Sequence, residues 1–102
     1  MDILLRQTDP QAVFFEVDTY WVEKGGRDSR RFIEQQAVRI GMIHAKELRK
    51  RDGADVPAGL GDVDFKFILP LACQRNWPIV VEFEGENAVA AVTASARYLA
   101  GL

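Results

Sequence analysis

Four ionisable residues stand at the ends of three apolar runs. Asp18 closes VFFEVD, His44 and Lys46 lie late in IGMIHAKE, and Glu82 follows two valines in PIVVEFE. In an extended chain, residues two apart share a face. Asp18 then shares its face with Glu16 and Phe14, His44 with Lys46, Met42 and Ile40, and Glu82 with Val80 and Glu84. Gathering ionisable groups in one place is costly unless they pair or bind a cation. Asp18, His44 and Glu82, two carboxylates and a neutral imidazole, are a suitable donor set for a divalent metal such as Mn²⁺, Mg²⁺, Co²⁺ or Zn²⁺. Lys46 would lie beside that ion and hold an anionic oxygen of a substrate. The alternative is a plain ion-paired cluster, with Lys46 bridging the carboxylates and His44 hydrogen-bonded.

For these side chains to meet, their runs must be strands of one sheet. Val13–Asp18, Ile40–Glu47 and Pro78–Glu84 are of strand length and rich in β-branched or aromatic residues. Helical patterns lie between and after them. The first spans Ser29–Arg39, with Phe32, Ile33, Gln36, Ala37 and Ile40 near helical spacing and Asp28 or Ser29 as N-cap. The second spans Asp64–Asn76, with Phe65, Ile68, Leu69 and Ala72 on one stripe and Asp64 as cap. The third spans Asn87–Leu99, with Ala88, Val92, Ala96 and Leu99 on one side. The order β-α-β-α-β-α, with connections long enough for right-handed crossovers, predicts a parallel sheet. Parallel strands bring Asp18, His44 and Glu82 to one end of the sheet, the end at which α/β folds bind ligands. The opening MDILLRQTDP is too short for a stable helix on its own and stops at Asp9-Pro10. Residues 48–63 read as one long irregular loop.

The bulk properties agree with a globular α/β chain. Its 102 residues fit one domain, 1–102, and 48% hydrophobic with 27% charged residues argues against disorder. The net charge of -2 has the wrong sign for gripping a phosphate backbone, so nucleic acid is not an expected partner. A lone Cys73 forms no internal disulfide, which suits a reducing compartment. No apolar run approaches a membrane span, and Met1-Asp2-Ile3 lacks the basic start of a secretory leader. The expected location is the cytoplasm, with no membrane partner.

Other residues carry weaker signals. Trp21 and Tyr20 can stack on a sugar ring or simply fill space. Arg49, Lys50 and Arg51 can meet a sugar phosphate, although a solvated loop explains them as well. Gly59-Leu60-Gly61 could bring backbone amides to a phosphate, but a lone GxG in a loop reads more readily as a tight turn, and Gly25-Gly26 reads as the turn into the first helix. Trp77 and Cys73 read as core residues.

Several marks together resemble the C-terminal part of the sugar phosphate isomerase/epimerase family, the xylose-isomerase-like TIM barrels. They are DTYW at Asp18–Trp21 followed by EKGGRD at Glu23–Asp28, RIGMIHAKE at Arg39–Glu47, GLGDVD at Gly59–Asp64, VVEFE at Val80–Glu84 and SARYL at Ser95–Leu99. The resemblance implies that Asp18, His44 and Glu82 match three of the family's metal ligands at the ends of late barrel strands. It implies isomerisation or epimerisation of sugars or sugar phosphates through an enediolate, with Glu82 as both ligand and acid/base and Lys46 as a catalytic substrate contact. Trp21 stands where the ketose 3-epimerases commonly carry a histidine, and Glu47 where an aspartate is common. The family's first ligand, a glutamate on an earlier strand that also moves protons, has no counterpart.

The expected fold is therefore α/β, a partial TIM barrel of three parallel βα units. A whole barrel needs about 200 residues or more, so one sheet face, carrying Phe14, Met42 and Val80, and two sheet edges are left open. Completion by oligomerisation is the expectation, through a homodimer or a companion chain that supplies the missing strands. Two functions follow: a metal-dependent isomerase/epimerase site, or a non-catalytic remnant or subunit serving oligomerisation or small-ligand binding.

Overall fold

The computed structural model describes residues 2–102; Met1, part of the leader argument above, lies outside the described residues. Three strands form a parallel sheet: β1 (Phe15–Asp18), β2 (Ile40–Ala45) and β5 (Ile79–Val81), in the spatial order β1-β2-β5. Asp18 is level with His44, and His44 with Val80. The sheet continues past β5, where the Glu82 amide donates to the Ala45 carbonyl at 3.2 Å.

Helices α3 (Ser29–Gln35), α4 (Phe65–Gln74) and α5 (Ala88–Ala100) realise the three helical patterns. The first pattern ends sooner than its periodicity suggests, because Ala37–Arg39 tightens into a 3₁₀ turn that feeds Ile40 into β2. Asp28 and Asp64 cap α3 and α4, accepting from the Arg31 and Phe67 amides at 3.0 and 3.2 Å. Val17, Ile43 and Ala45 on one face of the sheet join Phe32, Ile33, Phe65, Ile68, Leu69, Ala72 and Leu99 in the core. That burial is the principal force docking the helices on the sheet.

Several sequence expectations are corrected. The last helix buries Ala91, Ser95 and Leu99, while Ala96 is exposed. The stripe is rotated because the Ser95 hydroxyl turns inward to accept the Ala58 amide at 2.9 Å. Cys73 is exposed rather than core; α4 buries its Phe65–Ile68–Leu69–Ala72 side, leaving Cys73 outside. Ile40 does not share the face of Met42 and His44. The register slips between Phe15 and Glu16, so that Ile40 pairs with Phe15 and Met42 with Glu16, and Ile40 turns into the core.

Three further elements were not expected. Helix α1 (Asp2–Gln7) forms at the start, and the buried Arg39 guanidinium donates to the Leu5 carbonyl and the Thr8 hydroxyl. Helix α2 (Thr19–Lys24) follows β1 directly, capped by Asp18. The stretch taken for loop carries an antiparallel hairpin, β3 (Glu47–Arg49) with β4 (Ala54–Val56). Its turn contains Asp52-Gly53, with Gly53 in the left-handed region at φ 71°, a dipeptide that signals hairpins.

The opposite sheet face is open. Phe14 is 54% exposed and Val80 42% exposed, with Glu16 beside them. The chain is thus an α/β unit with a three-stranded parallel sheet, one part of a barrel wall. No helix among the described residues is long and apolar enough to cross a membrane.

Candidate metal centre

The centre is built where β1 and β2 end. Asp18 does two things there. Its Oδ1 caps α2 by accepting the Trp21 amide at 3.2 Å, while Oδ2 lies 3.7 Å from His44 Nδ1. The helix start thereby fixes the carboxylate's direction. Glu82 Oε2 approaches from the β5 side, 3.0 Å from His44 Nε2. One donor atom each from Asp18, His44 and Glu82 lie within 4.8 Å of one another, and all three residues are half-buried. Two carboxylate oxygens and an imidazole nitrogen at such separations fit a divalent cation with oxygen and nitrogen donors.

Thr19 holds the strand ends together. It is fully buried, and its hydroxyl donates to the Lys46 carbonyl at 2.7 Å and receives the Lys46 amide at 3.1 Å. One side chain satisfies both backbone groups of a residue just past the end of β2. Nothing in the sequence separates this threonine from an ordinary surface one.

Lys46 is turned inward beneath two aromatic rings, its Nζ 4.7 Å from the Tyr20 centroid and 5.5 Å from that of Trp21. The two rings meet edge to face at 4.9 Å. Lys46 Nζ pairs with Glu84 at 3.3 Å and Asp55 at 3.9 Å, rather than bridging Asp18 and Glu82. Burial works against the ammonium, but Glu84, Glu82 and Asp55 outweigh it and hold the pKa above the usual lysine value. Asp55, on β4, receives the Glu84 amide at 2.8 Å, and its other oxygen is buried without a partner. Desolvation raises the Asp55 pKa; the Glu84 amide and Lys46 oppose that, while Glu84 and Asp18 add to it. Sequence reading missed Asp55 because it sat in a stretch taken for irregular loop.

Arg49 is occupied by Asp52, with both contacts of a forked pair at 3.1 and 2.7 Å. That pairing holds the exposed Asp52 carboxyl down to about 2. Trp21 is 56% exposed and lines a cavity of about 360 Å³ with Glu16, Asp18 and Arg27. The Gly59 amide is spent on Glu47 Oε2 at 3.1 Å, as a tight turn requires and a phosphate cradle does not. Glu47, 2% exposed, also accepts the Leu48 and Val63 amides at 3.0 and 2.8 Å and so ties the 58–63 turn to β3.

No family model matches the chain, and no curated protein does. Solved structures do. A sugar phosphate isomerase/epimerase from Parabacteroides distasonis superimposes on 99% of this chain with a TM-score of 0.78 and 28% identity. A second sugar phosphate isomerase/epimerase structure from that organism covers 95% with a TM-score of 0.74 and 27% identity. The probable 3-DHS dehydratase AsbF of Bacillus anthracis, involved in petrobactin synthesis, shares the fold over 85% of the chain, with a TM-score of 0.72 and 19% identity. This chain spans only 36%, 34% and 38% of those three structures. The resemblance to sugar phosphate isomerase/epimerases thus holds in three dimensions, over about a third of their length.

Proposed function

We propose that the chain carries the metal-binding end of a sugar or sugar phosphate isomerase/epimerase that works through an enediolate. The observation that carries this reading is the convergence of Asp18, His44 and Glu82 at one sheet end, in a chain similar to two structures with that name. Those three residues would hold one divalent ion, Mn²⁺, Mg²⁺, Co²⁺ or Zn²⁺. When bound, the ion supplies a Lewis acid that favours charge on a substrate's carbonyl and hydroxyl oxygens.

Within the chain's own chemistry, Glu82 is the acid/base. Its carboxylate takes the proton from the carbon next to the substrate carbonyl, whose electrons move onto oxygen to give the enediolate. Return of that proton to the former carbonyl carbon, while the neighbouring hydroxyl passes its own proton to the former carbonyl oxygen, completes an isomerisation. Lys46, buried beneath Tyr20 and Trp21, would meet the developing negative charge only if it left Glu84 and Asp55, and Trp21 offers a ring for the sugar. Arg49 would serve a phosphate only if it left Asp52. The remaining barrel strands would come from a second copy or a companion chain.

The exposed Phe14 and Val80 favour a second reading, a non-catalytic subunit or small-ligand module whose open face is its working surface. Mn²⁺ titration by calorimetry on the metal-stripped chain separates the two, with His44→Ala as control. Saturable binding lost in the variant is the expected result. A folded chain that binds no Mn²⁺ would leave the module as the function.

A further inference from the structure

Glu82 stands just beyond β5, where the regular pairing of the sheet has ended. Its own amide donates to the Ala45 carbonyl at 3.2 Å, and its Oε2 reaches His44 Nε2 at 3.0 Å. The next fixed point is two residues on. The Glu84 amide donates to Asp55 Oδ2 at 2.8 Å, and the Glu84 carboxylate pairs with Lys46 Nζ at 3.3 Å. Among the described residues, segment 83–86 makes no other hydrogen bond or ion pair with the rest of the chain. Past Glu84 the backbone turns through Gly85 at φ 139° and Asn87 at φ 58°.

Asp55 reaches Glu84 from a different part of the chain. It lies on β4, paired with Leu48 on β3, and β3 starts directly after Lys46. The Tyr20 hydroxyl donates to the Gly53 carbonyl at 3.0 Å and so ties the turn of the hairpin to α2. Asp55 is thus mounted on a braced hairpin. Its side chain is 12% exposed, and its Oδ1 is buried without a partner, which is costly. Two contacts offset that cost, the Glu84 amide and the Lys46 ammonium at 3.9 Å, the latter also paired with Glu84. A side chain at a working site must be held to within about 0.5 Å. One backbone tie on each side of Glu82 restricts it as a single tie does not.

We propose that Asp55 is a positioning residue for Glu82. By holding the Glu84 amide, it fixes the backbone on the far side of Glu82 and so sets where that carboxylate meets His44 Nε2. Asp55 acts only through Glu84 and the chain between them. The inference rests on the reading of Glu82 as ligand and acid/base given above. Asparagine, whose side-chain oxygen can also accept the Glu84 amide, should serve in place of Asp55; alanine and leucine should not.

The test uses the full chain, with circular dichroism confirming that each variant is folded. His44 is the chain's only histidine, so its ring nitrogens give unambiguous nitrogen-15 signals in the metal-free protein. Glu82→Gln marks where the Nε2 signal falls when the carboxylate is lost. The expected result is that Asp55→Ala moves the Nε2 signal toward that mark and weakens Mn²⁺ binding about tenfold by calorimetry. Asp55→Asn should stay near wild type in both. Asp55→Leu, which fills the space without an acceptor, serves if the alanine variant does not fold. Ser95→Ala removes a buried hydrogen bond on α5 and should leave the signal unmoved. An unmoved signal in Asp55→Ala or Asp55→Leu overturns the role of Asp55, as does an equal shift in Ser95→Ala, which would mark general loosening. If wild type binds no Mn²⁺, the metal reading falls and the His44 signal alone decides: movement in Asp55→Ala upholds the positioning of Glu82, and its absence overturns it.

Discussion

Replacing Thr19 by valine probes what aligns the ends of β1 and β2. The hydroxyl bonds both the amide and the carbonyl of Lys46, at 3.1 and 2.7 Å, in a fully buried position. Valine keeps the shape and supplies neither donor nor acceptor, so two buried backbone groups lose their partner together. Leaving a buried polar group unsatisfied costs about 1–3 kcal/mol, so Thr19→Val should lose about 2–4 kcal/mol, allowing for partial relaxation. Thr19→Ser keeps the hydroxyl and removes one methyl, for a loss of about 1 kcal/mol. Urea unfolding followed by circular dichroism measures both variants. Lys46 lies two residues beyond His44 and Thr19 adjoins Asp18, so the valine variant should also bind Mn²⁺ more weakly. A valine variant as stable as the serine one would refute the claim that this hydroxyl, rather than packing alone, holds the strand ends.

The remaining expectations concern the hairpin and its support. Burial lifts the Glu47 pKa above 4.5 despite the amides of Val63, Gly59, Leu48 and Gly61. The folded chain therefore holds that proton more tightly than the unfolded one. Its contribution to stability is present in full below pH 4.5 and falls as pH rises through the folded value. Urea midpoints measured across that range should show the decline, and Glu47→Gln should remove it; an unchanged slope in the variant would be inconsistent with this account. A Cβ at Gly61 would sit 2.5 Å from the Leu48 carbonyl oxygen and 2.7 Å from Glu47 carbons. Gly61→Ala should thus cost about 1–3 kcal/mol, and a neutral result by thermal melting would show that the turn yields. In a carboxyl-detected NMR titration Asp52 should show its midpoint at about 2 and move back toward 3.8 in Arg49→Gln. Its failure to move would assign the shift to something other than the forked pair.

Much of the fold was legible because alternation and helical spacing are local properties. The three apolar runs became strands and Asp28 and Asp64 became caps, since each depends on a few neighbouring residues. The face-sharing rule grouped Asp18 with Glu16 and His44 with Met42, and it holds wherever the strands are regular; that Asp18 and His44 are level comes from the pairing register. It failed at Ile40, because a bulge is set by how two strands pair. The hairpin left a signal in Asp52-Gly53, yet its polar surroundings hid strands of three residues each. Helix α2 was obscured because Asp18 reads equally as the end of a strand and as the cap of a helix.

The residue types and their parity, by themselves, determined that an imidazole and two carboxylates would stand at one end of a parallel sheet. Periodicity in a covalent chain dictates which side each residue takes. The tertiary structure alone decided which charges pair. It turned Lys46 to Glu84 and Asp55, set Glu16 beside His44, and used Thr19 and Glu47 to satisfy backbone groups from distant segments. Those outcomes depend on distances of a few ångströms between residues far apart in sequence, and electrostatic and hydrogen-bond energies change steeply over that range.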